Sequence, residues 1–280
     1  MIIVIAIIAL VLAIGVPAFN AMTIQQRMSK TRQLLDGALV RTQIIGVSDQ
    51  TLTAIRLCPA EWHLDKDAAL GSLAGRQMLT TYAYRFTYAA NPSNPTQVKF
   101  AERFERVEEG PTQLLPPDTW VAPSEAFDLT RRMASDSGGG LLGDVVLKGR
   151  IGDFEFDASK HLNNFLEADD FLIVFDPETG VQPSARGDQR SCWPLVGYDP
   201  RTTSSTAQQE TNGVNNDRFK RYNFTGAVIY RREPFAALEK SLDGSALIEA
   251  RRDVLKRLGQ TYYVSRTGGG LVAGAGEPAQ

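Results

Sequence analysis

The sequence predicts an α+β fold: one long N-terminal helix packed on an antiparallel β-sheet with large loop insertions. Three observations predict it. Residues Ile2–Phe19 form an uninterrupted apolar run. The next stretch repeats apolar or small residues at helical spacing on one side. Beyond about residue 50, short stretches rich in Val, Ile, Thr, Tyr and Phe are separated by turn-forming residues, as strands are.

The run reads IIVIAIIALVLAIGVPAF, eighteen residues without a charge or a hydrogen-bonding side chain. It meets the length needed to span a bilayer, ~17–25 residues. A cleaved signal peptide would want basic residues ahead of the run and a small-residue cleavage site, and Phe19-Asn20-Ala21 is a poor one. A buried core helix rarely begins at residue 2 with an apolar surface all round, so a membrane-inserted helix fits best. Arg27, Lys30 and Arg32 follow the run and nothing basic precedes it, so the positive-inside rule applied to this chain as written would place the C-terminal part in the cytoplasm.

From Ile24 to Ile45 the stripe is Ile24, Met28, Thr31, Leu35, Ala38, Thr42 and Ile45, spaced 4,3,4,3,4,3 and widened by Leu34, Leu39 and Val40. Leu35, Ala38, Thr42 and Ile45 are expected to face the sheet, with Arg27, Lys30 and Arg41 in solvent. Gly46 is the expected C-cap. Pro17 removes one backbone hydrogen bond inside the helix and is expected at most to kink it. The segments divide as 1–22 for the membrane or filament-core helix, 23–272 for the globular domain including the helix half 23–46, and 273–280 for a disordered tail.

The strands follow in order. Thr51–Leu57 alternates, with Leu52, Ala54 and Arg56 on one face and Thr53, Ile55 and Leu57 on the other. Met78–Tyr88 is a strand, and Gln97–Val107 a strand or a short helix, with a loop at Asn91–Pro95 between them. Leu114–Val121 is extended and, with Pro116-Pro117, an edge. Val145–Phe156 reads as a hairpin. Phe171–Phe175 is a strand with Asp176–Gly180 as its turn, and Phe224–Tyr230 another. Ala246–Leu258 is a helix ended by Gly259, Thr261–Arg266 a last strand, and Gly268–Gln280 a disordered Gly/Ala tail. Arg131–Gly143 and Arg201–Asp217 read as loops.

The composition narrows the function classes. Lys plus Arg is 30 and Asp plus Glu is 32, a formal net charge of -2, which argues against a protein that coats nucleic acid by charge. Two Cys and two His do not supply a zinc site. Ser137–Gly143 has glycines but lacks the Gly-Lys-Ser/Thr of a phosphate loop. His63 and His161 stand without a nucleophile elbow or a clustered ligand set. Glu167, Asp169 and Asp170 read as a solvated turn. Asn212–Asp217 and Asp176–Gly180 are oxygen-rich loops in which a bound calcium is the alternative to a plain turn, though neither has a known calcium-loop spacing. No residue is assigned a catalytic role, no cofactor is expected, and Arg231-Arg232 and Arg251-Arg252 are not expected to bind nucleic acid.

The segment Val4–Phe19, with Pro17 late in it and an amphipathic half after it, resembles the N-terminal helix of type IV pilins and type II secretion pseudopilins. Leu34–Pro59 resembles the start of the GspH-like pseudopilin domain. The family's short basic leader and the glutamate of its Gly-Phe-Thr-Leu-x-Glu-like processing site are missing, so the resemblance implies a start inside the helix. Ala9 stands where many members carry glycine, a part Gly15 takes here. The resemblance implies a structural subunit rather than an enzyme. It would sit single-pass in a bacterial inner membrane with the globular domain in the periplasm, and would move into a filament on assembly. It also implies partners: other pilins or pseudopilins, a prepilin peptidase and an assembly platform. Assembly would run through Ile2, Ile3, Val4, Ile5, Ile7, Ile8, Leu10, Val11, Leu12, Ile14, Val16, Pro17 and Phe19. In that compartment Cys58 and Cys192 would form a disulfide or remain buried thiols. The alternative reading is a membrane-anchored extracytoplasmic enzyme or ligand-binding domain.

Overall fold

The computed structural model describes residues 2–60, 75–91, 94–107, 112–127, 170–182, 192–196, 220–238, 241–265 and 269–274; of residues 2, 3, 5–12, 14, 86–91, 94–103, 192–196 and 220–222 it describes the backbone alone. The hairpin expected at Val145–Phe156, the loops at Arg131–Gly143 and Arg201–Asp217, and His63 and His161 lie outside the described residues.

Helix α1 runs Ile2–Asp49, 48 residues. It passes through Pro17 and continues beyond Gly46, the expected cap. The end is instead a Schellman turn: Gln50 takes the left-handed conformation (φ 51°) and Thr51 N–H donates to the Gly46 carbonyl at 3.1 Å. Gly46 serves a different need. A Cβ there would meet Thr53 Oγ1 at 2.7 Å, so the missing side chain lets the helix close on the first strand.

Among the described residues twelve strands form two sheets rather than one. The strands are β1 (Thr53–Pro59), β2 (Gln77–Asn91), β3 (Asn94–Arg106), β4 (Gln113–Leu114), β5 (Thr119–Pro123), β6 (Phe171–Asp176), β7 (Gly180–Val181), β8 (Cys192–Val196), β9 (Lys220–Tyr222), β10 (Gly226–Arg231), β11 (Gln260–Val264) and β12 (Leu271–Ala273). Eight belong to one sheet in the order β7-β6-β1-β2-β3-β8-β9, with β4 paired to β2; the other four run β12-β11-β10-β5. Residues 97–106 thus resolve as strand, and β2 and β3 close on each other at Asn91 and Asn94. The pairing is antiparallel throughout the named strands except between β3 and β8, which run parallel. A parallel neighbour must be reached by a crossover, which sequence alternation does not reveal. The extended stretch from residue 114 also divides: β4 joins the large sheet, and after a turn with Asp118 at φ 62° the chain enters the small sheet as β5.

Helix α1 lies against β1, β2 and β6 of the large sheet and against β5 and β10 of the small one. The main core forms where these elements meet, from Leu35 and Leu39 of α1, Ile55, Leu57, Ile173, Trp120, Val228 and Ile229, and Leu255 of the last helix. The far face of the large sheet buries Ala54, Tyr82, Phe104, Leu172 and Val174. β1 is therefore covered on both faces, which its alternating pattern did not indicate.

After β10 come α2 (Arg232–Ala237) and α3 (Gly244–Leu258). Gly259 ends α3, yet with φ −85° it is not the left-handed cap that a terminal glycine suggests. Its Cβ would sit 2.4 Å from the Leu255 carbonyl oxygen and 2.5 Å from Val228 Cγ1, so what this position requires is close approach of α3 to β10. The C-terminal residues are ordered further than expected. Leu271–Ala273 pair with β11 as β12, so Ala273 belongs to the sheet and not to a tail.

Candidate functional site

The candidate site is α1, whose two halves meet different surroundings. In the first half Val16 is 53%, Phe19 70% and Met22 58% exposed, and Val4 is exposed as well. Ile2, Ile3, Ile5, Ile7, Ile8, Leu10, Val11, Leu12 and Ile14 lie on the same helix, with side chains outside the described residues. Pro17 costs the ladder one N–H without ending it. Among the described residues no helix is long and apolar enough to cross a membrane; those side chains of the apolar run fall outside that statement.

Burial begins one turn after Ile24. Met28, Thr31, Leu35, Ala38, Leu39 and Thr42 are all buried, and Ile45 and Arg27 are half-buried. Lys30 and Arg41 are exposed. The two buried threonines are satisfied in different ways. Thr31 Oγ1 donates back to the Arg27 carbonyl within the helix, while Thr42 Oγ1 shares a 3.1 Å hydrogen bond with Thr81 Oγ1 of β2. Thr53 Oγ1 of β1 donates to the Thr42 carbonyl at 3.0 Å. Both strands thus hold the helix by its polar atoms where its apolar atoms fill the core.

The C-terminal hairpin holds the flank of α1. Asp36 Oδ1 accepts the Leu271 N–H of β12 at 2.6 Å, and the Arg32 guanidinium lies over the Tyr262 ring at 5.1 Å. The contact joins residues 235 apart, so only the fold brings them together. Asp36 reads in sequence as one more polar residue off the stripe.

Two further polar features were not legible. Gln77 at the start of β2 is fully buried; its Nε2 donates to the Val121 carbonyl and its Oε1 accepts the Val121 N–H, at 3.0 and 2.8 Å. One side-chain amide thus acts as a strand partner for β5 and ties the two sheets together. Asp170, expected in a solvated turn, is buried and forms a two-pronged pair with Arg56 at 2.7 and 2.9 Å. Burial works against the Arg56 charge, yet Asp170 beside it holds the guanidinium protonated well beyond its ordinary range. Tyr82 adjoins the pair. Burial pushes its hydroxyl above the ordinary tyrosine value, against the pull of the Arg56 charge.

The remaining candidates separate. Cys58 is on β1 and Cys192 on β8, with β2 and β3 between them. Three strand spacings make ~14 Å, beyond the ~7 Å that a disulfide tolerates between Cα atoms, so of the two alternatives the bridge is out of reach. The Asp176 carboxylate turns onto its own loop, accepting the N–H groups of Glu178 and Thr179 and the Gln182 side chain. Arg232, Arg251 and Arg252 are buried rather than offered to solvent, and Arg231 pairs with Asp118 at 3.0 Å.

What the arrangement does physically is hold Val4, Val16, Phe19 and Met22 out of the core on a continuous helix. Burying each of these side chains would contribute about 1.5–3 kcal/mol. No protein-family model, curated protein or solved structure matches the chain.

Proposed function

We propose that the chain is a structural subunit of the pilin or pseudopilin class, built to assemble through the first half of α1. One observation carries this reading. A single unbroken helix leaves apolar side chains exposed at Val16, Phe19 and Met22, then buries its stripe from Met28 onward. A tether that merely anchored a domain would need no rigid continuation into the core. Here whatever grips the first half fixes the direction of the globular domain, as a filament requires. Moving the first half from lipid to a bundle of sibling helices exchanges one apolar surrounding for another, so assembly is driven by packing rather than by water release. The reading places the subunit in a bacterial inner membrane before assembly, with prepilin peptidase, assembly platform and sibling subunits as its partners.

The test is deletion of residues 2–22. The remaining chain should keep the near-UV circular dichroism and melting transition of the full chain, because the core begins at Met28, yet fail to enter filaments in a host that makes the siblings. Entry of the truncated chain into filaments would refute the proposal.

A further inference from the structure

We infer that Arg27, Lys30 and Arg32 form a collar that binds anionic phospholipid headgroups at the membrane surface. The inference rests on the membrane-inserted reading of Ile2–Phe19. At 1.5 Å per residue that run is ~27 Å long, and carrying it on to Met22 fills a ~30 Å hydrocarbon core. Met22 then marks the boundary. Arg27 follows ~7.5 Å further along the axis, Lys30 ~12 Å and Arg32 ~15 Å.

Helical side chains lean toward the N-terminus, and long basic ones extend to keep their charge at the interface, so these three reach back toward the headgroups. The Debye length is ~8 Å at physiological salt, so Arg27 lies within the surface field, Lys30 enters it by the backward reach of its side chain, and Arg32 stands at its margin.

The charge pattern is one-sided. No acidic residue occurs before Asp36, and the Asp36 carboxylate is held by the Leu271 N–H. Lys30 and Arg32 are exposed and Arg27 half-exposed. Lys30 lies on the side of the helix away from the buried stripe, and Arg27 and Arg32 flank that stripe. Arg32, stacked over Tyr262, also ties the collar to the globular domain.

A cation near an anionic membrane surface contributes about 1 kcal/mol, a factor of about five, so Arg27 and Lys30 together give about 25-fold. The experiment offers the full chain, diluted from detergent, to two dye-coded vesicle populations at once. One is phosphatidylcholine; the other contains about a third phosphatidylglycerol, which carries the surface charge. The unmodified chain should favour the anionic vesicles by about 25-fold at low salt, and the preference should collapse in high salt. Arg27→Gln/Lys30→Gln and the triple variant with Arg32→Gln should still enter both populations but lose the preference. Lys256→Gln/Arg257→Gln, on the exposed side of α3, should keep it. A preference absent from the unmodified chain, or retained by the triple variant, overturns the collar. Failure to enter either population overturns the membrane reading itself.

Discussion

Replacing Gln77 with leucine should remove the bond between the two sheets. The side chain is fully buried, and its amide satisfies both the N–H and the carbonyl of Val121, itself fully buried on β5. Leucine matches its bulk and makes neither hydrogen bond. Two buried backbone groups left unpaired cost about 2–6 kcal/mol, and the apolar replacement returns about 1–2 kcal/mol. From the midpoints of these ranges a net loss of about 2.5 kcal/mol follows, a large part of the 5–15 kcal/mol typical of a domain. Urea unfolding of the detergent-solubilised chain, followed by far-UV circular dichroism, measures it as a lower midpoint at unchanged slope. Gln77→Glu sharpens the test. A carboxylate facing the Val121 carbonyl should be driven toward its protonated form, so that variant should regain stability as pH falls through its raised folded value. A Gln77→Leu chain within about 0.5 kcal/mol of the parent would refute the bridging role.

Leu35→Asp puts a carboxylate at a fully buried position of the main core; it should cost several kcal/mol, on the order of 3–5, and lower the melting temperature sharply. Tyr82 predicts an alkaline limit. Its raised value means that the folded chain holds the phenolic proton more tightly than the unfolded chain does, so this contribution is complete below about pH 10 and is lost as pH rises above it. Tyr82→Phe should flatten stability over that range, and phenolate absorbance of the folded parent should show a late-titrating tyrosine that Tyr82→Phe lacks; identical alkaline titrations of parent and variant would contradict it.

What was legible in the sequence is what is encoded locally. The period of the α1 stripe marks Leu35, Ala38 and Thr42, and each is buried. Phe171–Phe175 and its Asp176–Gly180 turn were legible because an apolar run next to Asp, Pro and Gly specifies strand and turn by itself. What was not legible depends on pairs distant in sequence. Asp170 looked solvated because its partner Arg56 is 114 residues away. Gln77 carried no signal, since an amide that completes a foreign strand has no spacing of its own. The split into two sheets, the parallel entry of β8 and the separation of Cys58 from Cys192 all follow from strand order, which alternation does not encode. The glycines misled for another reason. Gly46 and Gly259 stand at helix ends, where sequence suggests left-handed caps, but both are required for close approach to strands.

The most direct measurement of the central claim is cross-linking from the first half of α1. A photoreactive residue in place of Phe19, which is 70% exposed in the chain alone, should link to the N-terminal helix of a sibling subunit in assembled filaments. Before assembly it should link to lipid, and in neither state to its own globular domain. The same probe in place of Leu39, which is fully buried, should link only within its own chain. Cross-links from position 19 to the globular domain of the same chain would contradict the account, because the first half of the helix would then be core and not an assembly element.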